Sequence, residues 1–413
     1  MNNHVIFFSG GIASFEVAHY VKTNYPKDNI LLYFTDTLWE DEDLYRFIYE
    51  VSDKLELPLL YHSRGINPIQ LMFKEATVFN SRIGRCSTVL KMEVALNYFK
   101  RGLKPKIFKY RNKNYLKQEI DPLHDSFISK TILYFGIGWE EEHRKRKIAL
   151  NWQPYEVKMP LIDELIDKGA ALEIYNIKKP RLYDYGFAHN NCKGRCVKAG
   201  QAHYINLLQQ LPELFKETMT QEFHMSRYVA ASHYIRATKY LPESEVIPFD
   251  TQEILLKELN DAYADYFNGI TTKPNVYVHP CITATKFETE LLLIEYGFKK
   301  NRKGKWKRVK FQEMRKSKHF MKLNESNKKL KLFETRHLKP TNYSFMKKRS
   351  KGISSAYPLR NFYWDVLSEG LQNRPTMVHK QKSKQFDLFE FGGCGCFVDF
   401  SDIESSVCDV SNN

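Results

Sequence analysis

The sequence predicts an α/β fold: a doubly wound, mostly parallel sheet, continued by a helical C-terminal region and interrupted by a basic insertion. Three observations predict it. From residue 4 to about 165, short apolar runs alternate with runs of helical periodicity, the pattern of parallel βαβ units. A Ser9-Gly10-Gly11 loop joins the first apolar run to the first helical one, where open parallel sheets present ligand sites. The charge is also segregated. Between Lys299 and Lys351 there are 21 Lys and Arg against three acids, a balance of +18, so the rest of a chain of net charge +15 sits near −3.

The elements follow in order. His4-Val5-Ile6-Phe7-Phe8 reads as a buried strand, and Ile12 to Asn24 as a helix with Phe15, Ala18 and Val21 on one face. Ile30 to Thr35 is a second strand. A helix from about Asp41 carries Leu44, Phe47, Ile48, Val51 and Leu55 on one face, with acids at its N-terminal end. Leu57 to Tyr61 is a third strand, Ile69 to Phe73 a short helix after Pro68, and Cys86 to Phe99 a helix. Residues 103–127 read as a polar excursion, Thr131 to Phe135 as a fourth strand, and Tyr155 to Met159 as a fifth. From Leu161 to Phe223 the pattern is mostly helical, broken by a Gly- and Cys-containing loop at 186–200. Gly297 to Lys310 reads as a basic hairpin turning at Lys303-Gly304.

The domain organisation expected is an α/β domain over 1–165, a helical region over 166–239 and a basic insertion over 240–350. A C-terminal segment over 351–397 would return to the core, ahead of a disordered acidic tail over 398–413. At 413 residues, 43% hydrophobic and 27% charged, the chain has the composition of a soluble globular protein. No apolar run approaches the roughly 20 residues of a membrane span. Met1-Asn2-Asn3-His4 opens no secretory signal, so a cytoplasmic location is expected. Seven cysteines in such a chain point to metal or redox chemistry rather than a disulfide framework.

Glycines between a strand and a helix let backbone N–H groups approach an anion, and the helix N-terminus adds positive potential. Ser9, Gly10, Gly11 and Ser14 are therefore candidate phosphate ligands; a plain tight turn is the competing structural reading. Asp36 and Thr37 end the second strand at the same sheet edge, where a carboxylate suits a ribose hydroxyl or an adenine amino group and equally suits a helix cap. Cys86 lies at a helix start between Arg85 and Lys91, a setting that lowers a thiol pKa and suits a nucleophile or a metal ligand; a small buried residue is the alternative. Gly136 and Gly138 end the fourth strand, where glycines permit close ligand approach, and Arg144 follows within reach of a phosphate. An ordinary strand-to-helix turn explains them equally well.

Cys192-Lys193-Gly194-Arg195-Cys196 is the densest local signal. Its spacing brings two sulfurs to one side of a loop, and Cys394 and Cys396 lie in a second glycine-flanked loop. Together with Cys86 these thiols are candidate ligands of a [4Fe–4S] cluster or of zinc, or members of a redox-active disulfide. Aromatics Phe298, Trp306, Phe311, Phe320 and Phe333 interleave with the lysines of 299–351, a composition suited to phosphate neutralisation and base stacking on a nucleic acid.

Read together, these pieces resemble the phosphoadenosine phosphosulfate (PAPS) reductase-like branch of the PP-loop, or adenine nucleotide α-hydrolase, superfamily. Ser9-Gly10-Gly11-Ile12-Ala13-Ser14 matches the PP-loop pattern Ser-Gly-Gly-x-Asp-Ser, with Ala13 in place of the aspartate. Arg85-Cys86-Ser87-Thr88-Val89-Leu90-Lys91 resembles the family's Arg-Cys…Lys segment. Asp36-Thr37 with Glu42 to Phe47, Gly186 to Gly200 and Gly393 to Phe397 are similar to bacteriophage-type relatives. The resemblance implies a Rossmann-like domain binding ATP or a PAPS-type nucleotide, with Mg2+ as its companion ion.

It further implies one of two reactions: cleavage of ATP between the α and β phosphates to activate a substrate for sulfur or nitrogen attack, or reduction of a sulfonucleotide by a cysteine thiol. Under the first, Ser9, Gly10, Gly11 and Ser14 hold phosphate and Asp36 and Thr37 meet the nucleoside. Arg85, Lys91 and Arg144 neutralise charge, and Cys86 with Cys192, Cys196, Cys394 and Cys396 supplies sulfur chemistry, with a nucleic acid as one acceptor. The family's C-terminal Glu-Cys-Gly-Ile/Leu-His is missing, which leaves Cys394 or Cys396 as the substitute nucleophile for a reductase. A cysteine desulfurase or a thioredoxin-like protein is the expected partner. A nucleotide-gated nucleic-acid-binding protein with structural zinc is the non-enzymatic alternative.

Overall fold

The computed structural model describes residues 1–164, 166, 169–236, 249–274, 298–300, 306–308, 343–350 and 353–370. They fall into two compact units. The first takes the described residues of Met1–Pro68 and Ser81–Phe215, the second those of Ile69–Asn80 and Lys216–Asn373.

The first unit is built on a six-stranded sheet of β1 (Asn3–Phe7), β2 (Asn29–Asp36), β3 (Leu59–Ser63), β4 (Ile107–Arg111), β5 (Thr131–Phe135) and β6 (Glu156–Lys158), in the spatial order β4-β3-β2-β1-β5-β6. All neighbours are parallel except β3 and β4. The mostly parallel, doubly wound expectation is met. Strands covered on both faces read as continuous apolar runs. In β1, Ile6 points to one core with Leu32 and Phe34 of β2, while Val5 and Phe7 point to the other with Leu31 and Tyr33.

Helices α1 (Ile12–Asn24) and α2 (Glu42–Lys54) fill the first core with Phe15, Val17, Ala18, Val21, Phe47, Ile48 and Val51. The second core takes Met92, Ala95, Tyr98 and Phe99 from α4 (residues 85–101), and Ile148 from α5 (Lys145–Asn151). Helix α4 is continuous from Arg85 to Arg101, with a π-helical turn at Thr88–Met92. Helix α6 (Gln201–Gln210) follows the cysteine loop.

One element differs from expectation. The stretch taken for a polar excursion contains β4, which pairs antiparallel with β3 in the register Leu59↔Arg111 to Ser63↔Ile107. Its residues Ile-Phe-Lys-Tyr-Arg are only half-buried or exposed. An edge strand laced with cations loses the apolar run that marks an interior one, and such charges discourage edge-to-edge pairing. Lys109 stands 4.0 Å over the Tyr61 ring of the neighbouring strand.

The second unit contains α3 (Pro68–Glu75), most of α7 (Pro212–Arg236), α8 (Phe249–Phe267) and α9 (Leu359–Glu369). Tyr228 on α7 donates to Asn260 at 2.8 Å and to the Phe73 carbonyl at 3.2 Å. The buried Glu222 accepts from the amides of Phe345 and Leu359, at 2.7 and 2.5 Å, and so ties α7 to the start of α9. The expected basic hairpin is present as β7 (Phe298–Lys300) antiparallel to β8 (Trp306–Arg308). Its turn residues, and Cys281, Cys394, Cys396 and Cys408, lie outside the described residues. A second hairpin pairs β9 (Lys347–Ser350) with β10 (Ile353–Ala356). No described helix is long and apolar enough to cross a membrane.

Three imidazoles make the first unit acid-labile, His62, His203 and His189, the last held down to about 4. Burial pushes His62 on β3 and His203 on α6 down to about 3, below the ordinary histidine value of about 6.5. Below the unfolded value, the unfolded chain binds protons that the folded chain does not, so stability is present above it and is lost as pH falls. Each of the three contributes a slope of about 1.4 kcal/mol per pH unit, so urea unfolding is expected to lose about 3–4 kcal/mol between about pH 7 and 5.5, and His62→Gln about two thirds of that. An unchanged unfolding midpoint over that range would contradict this burial.

Candidate functional site

The sheet reverses its winding at β1, which lies between β2 and β5. The loops leaving β1 and β5 at their C-terminal ends therefore meet at the topological switch point. The contact is close. A Cβ on Gly136, just after β5, would stand 2.8 Å from both the N and the Cα of Ser14 in α1. What Gly136 admits here is the first turn of α1, at Ala13 and Ser14, which continues the Ser-Gly-Gly segment.

That segment is fixed from several sides. Gly10 has φ +78°, and a Cβ there would lie 2.9 Å from Ile48 Cγ2 of α2. Asn190 Nδ2 donates to the Gly10 carbonyl at 2.9 Å. Gly11 caps α1 without a side-chain hydrogen bond, as expected where amides at a helix start are left to meet an anion. Ser14 Oγ donates to the Gly11 carbonyl at 2.9 Å and lies 3.3 Å from Ser9 Oγ. Ala13, in the position of the pattern's aspartate, packs against the α1–α2 core. Tyr183, unremarked in the sequence, hydrogen-bonds the backbone of Ile12 through its hydroxyl, which lies 3.2 Å from where a Gly11 Cβ would stand.

Asp36 is buried at the end of β2. Oδ1 accepts from the Leu38 amide at 2.8 Å and from Tyr45 at 2.9 Å, and Tyr61 donates to Oδ2. Burial nevertheless holds the carboxyl above the usual range. The helix cap of α2 is Asp41, which accepts from the Asp43 amide at 2.9 Å. Asp36 is therefore not that cap.

Thr37 leads instead to Glu40, a residue that sequence reasoning passed over. Glu40 Oε1 accepts from Thr37 Oγ1 at 2.9 Å and stands 3.3 Å from Lys91 Nζ, and its Oε2 accepts from the Cys192 amide at 2.5 Å. Lys91 lies within the π-helical turn of α4, with 4% of its side chain exposed. Single π turns inside α-helices concentrate at functional positions, and this one carries the family-like lysine inward.

Cys86, at the start of α4, and Cys192 and Cys196 are all buried thiols. The Cys192 loop is held in a left-handed turn, with φ of 56°, 52° and 77° at Cys192, Lys193 and Gly194. Arg195 lies 4.2 Å over the Trp39 ring, and Lys193 Nζ reaches Glu42 Oε1 at 2.5 Å. His203 Nε2 lies 2.7 Å from the Gly194 carbonyl. Lys198 covers Gly84, the residue before Arg85, so that a Cβ there would meet its Cε at 2.6 Å. Burial and the neighbouring Lys91 charge push His189 down to about 4. Arg85 is half-buried at the first position of α4. Arg144 is paired with Glu141 at 2.5 Å, and Gly138 caps the short 3-10 helix in which Arg144 lies.

Among the described residues, no three His, Cys, Asp or Glu side chains form a group able to hold a metal ion. Cys86, Cys192 and Cys196 thus do not by themselves constitute a metal site. The close approach of Gly136 is the most exposed to test. Gly136→Ala is expected to destabilise the protein by about 1–3 kcal/mol through overpacking against the α1 backbone, read by urea unfolding. A neutral substitution would contradict the packing.

The model of the phosphoadenosine phosphosulfate reductase domain matches residues 3–109, about a quarter of the chain. No curated protein and no solved structure matches. The matched segment runs from β1 through the Ser-Gly-Gly loop, Asp36, Glu40 and the Arg85–Lys91 helix into β4. With its mostly parallel sheet and the loop at the switch point, this segment is similar to the PAPS reductase-like branch of the PP-loop superfamily.

Proposed function

We propose that the chain is a PP-loop enzyme that binds an adenine nucleotide at the C-terminal edge of its sheet and couples it to cysteine sulfur chemistry. The carrying observation is that one loop serves both partners: Asn190 holds the Gly10 carbonyl of the PP-loop, and two residues later Cys192 is bonded through Glu40 to Lys91. The Ser-Gly-Gly loop and the thiol-bearing loop thus share one hydrogen-bonded structure, which supports this reading.

In this reading the amides of Gly10, Gly11 and the α1 start, with the Ser9 and Ser14 hydroxyls, receive the phosphates. Lys91 and Arg85 add positive charge from α4. Asp36, held by two tyrosines, shapes the nucleoside end with Thr37, and Gly136 keeps the loop after β5 against α1. Gly138 and Arg144 belong to the same edge, with Arg144 reaching a phosphate only on exchanging Glu141. Two reactions fit: α–β cleavage of ATP, which activates an acceptor for attack by sulfur, or reduction of a sulfonucleotide by a thiol. The reductase reading is favoured by the domain match and the transferase reading by the basic segment 299–351, for which a nucleic acid is the proposed contact. Cys86, Cys394 or Cys396 is the proposed sulfur nucleophile.

The described donors do not by themselves form a metal group. Iron, zinc and sulfide analysis of anaerobically purified protein decides whether Cys394 and Cys396 complete a site. A cysteine desulfurase or a thioredoxin-like protein is the partner class that each reaction requires.

Calorimetric titration with ATP and with PAPS is expected to show binding, and Lys91→Met to weaken it about tenfold, or about 1.4 kcal/mol. Pyrophosphate release in the presence of nucleic acid then identifies the transferase, and sulfite release under reducing conditions the reductase. Wild-type protein that binds neither nucleotide contradicts the proposal.

A further inference from the structure

Glu40 belongs to none of the motifs that carry the resemblance, yet two segments distant in sequence, and Thr37 three residues before it, end on its carboxylate. Thr37 Oγ1 at 2.9 Å and Lys91 Nζ at 3.3 Å share Oε1, and the Cys192 amide takes Oε2 at 2.5 Å. The side chain is 0% exposed, so no solvent stands ready to replace a lost partner. A buried carboxylate that has given up its hydration keeps its charge only through such donors.

The loop that it holds is strained. Two successive non-glycine residues, Cys192 and Lys193, have positive φ. Such conformations persist only where the surroundings over-determine them. Here the surroundings are Glu40 on the Cys192 amide, the Arg195 amide on the Cys192 carbonyl at 2.9 Å, and Glu42 on Lys193.

We propose that Glu40 is the positioning residue of this site: one carboxylate oxygen aims Lys91 at the nucleotide edge while the other fastens the Cys-x3-Cys loop, so that the phosphate-facing cation and the loop thiols are set together. The half concerning Lys91 rests on the nucleotide reading above; the half concerning the loop stands without it. An amide in place of the carboxylate offers a single acceptor oxygen, and cannot serve Lys91 and the Cys192 amide from opposite oxygens. A shortened acid keeps both oxygens but draws them back.

The test is site-resolved alkylation of the full-length protein by iodoacetamide, read by mass spectrometry, beside ATP titration. In Glu40→Ala, Cys192 and Cys196 are expected to react about tenfold faster through local opening, with Cys86 nearly unchanged. Glu40→Asp should fall between wild type and Glu40→Ala. ATP affinity should drop about tenfold in Glu40→Ala, and the double variant with Lys91→Met should be no weaker than Lys91→Met alone, the signature of coupled residues. Should Glu40→Ala fail to fold, Glu40→Gln, which keeps the volume, is read by the same criteria.

Unchanged rates at Cys192 and Cys196 in a folded variant would overturn the proposal. Equal acceleration of all three thiols would do the same, since that marks general loosening. Additive losses of ATP affinity would sever Glu40 from Lys91. If wild-type protein does not bind ATP, the nucleotide reading fails by itself, and the alkylation rates still decide the role of Glu40 in the loop.

Discussion

A lysine ammonium and a glutamate carboxylate, both shut away from water and 3.3 Å apart, set the arrangement of this site. Removing one partner of a buried pair leaves the other charge uncompensated, at a cost of roughly 3–5 kcal/mol. The pair between Lys91 and Glu40 is therefore hard to break, and it joins segments that the chain topology alone would not connect. Through it the inward-facing π turn of α4, the stretch after β2 and the cysteine loop become one rigid edge.

That edge is placed by the sheet. With β1 flanked by β2 and β5, the first β–α loop falls where the winding reverses, and Gly136 lets the strand after the reversal close onto α1. Glycine is required at Gly10 for its positive φ and at Gly136 for contact with the α1 backbone. The two glycines do different work at the same place, and in both the missing side chain serves the path and packing of the chain.

Much of the fold was legible in the sequence. Interior strands such as Ile30 to Thr35 are continuous apolar runs, because both of their faces are buried, and α1 and α2 show their core faces at helical spacing. Strand β4 was not legible: an edge strand of Ile-Phe-Lys-Tyr-Arg satisfies half its surroundings with water and so carries no apolar run. The PP-loop serines and glycines, Lys91 and the Cys192 loop were visible as local motifs. Glu40 was not, because it opens the acidic run Glu40 to Asp43, where an acid in front of a helix is ordinarily explained by the helix dipole. The flanking Trp39, buried under Arg195, was the one available sign that this acid turns inward. Tyr183 gave no sign, since a phenol that meets the start of α1 from a distant turn is fixed by tertiary structure alone.

The central claim is that the Ser9–Ser14 segment receives the phosphates of an adenine nucleotide. A crystal structure with a non-hydrolysable ATP analogue tests it most directly. The account predicts phosphate oxygens within hydrogen-bonding distance of the Gly10 to Ser14 amides, with Lys91 facing them and Glu40 still bonded to the Cys192 amide. An analogue bound elsewhere, with the PP-loop amides unoccupied, would contradict it.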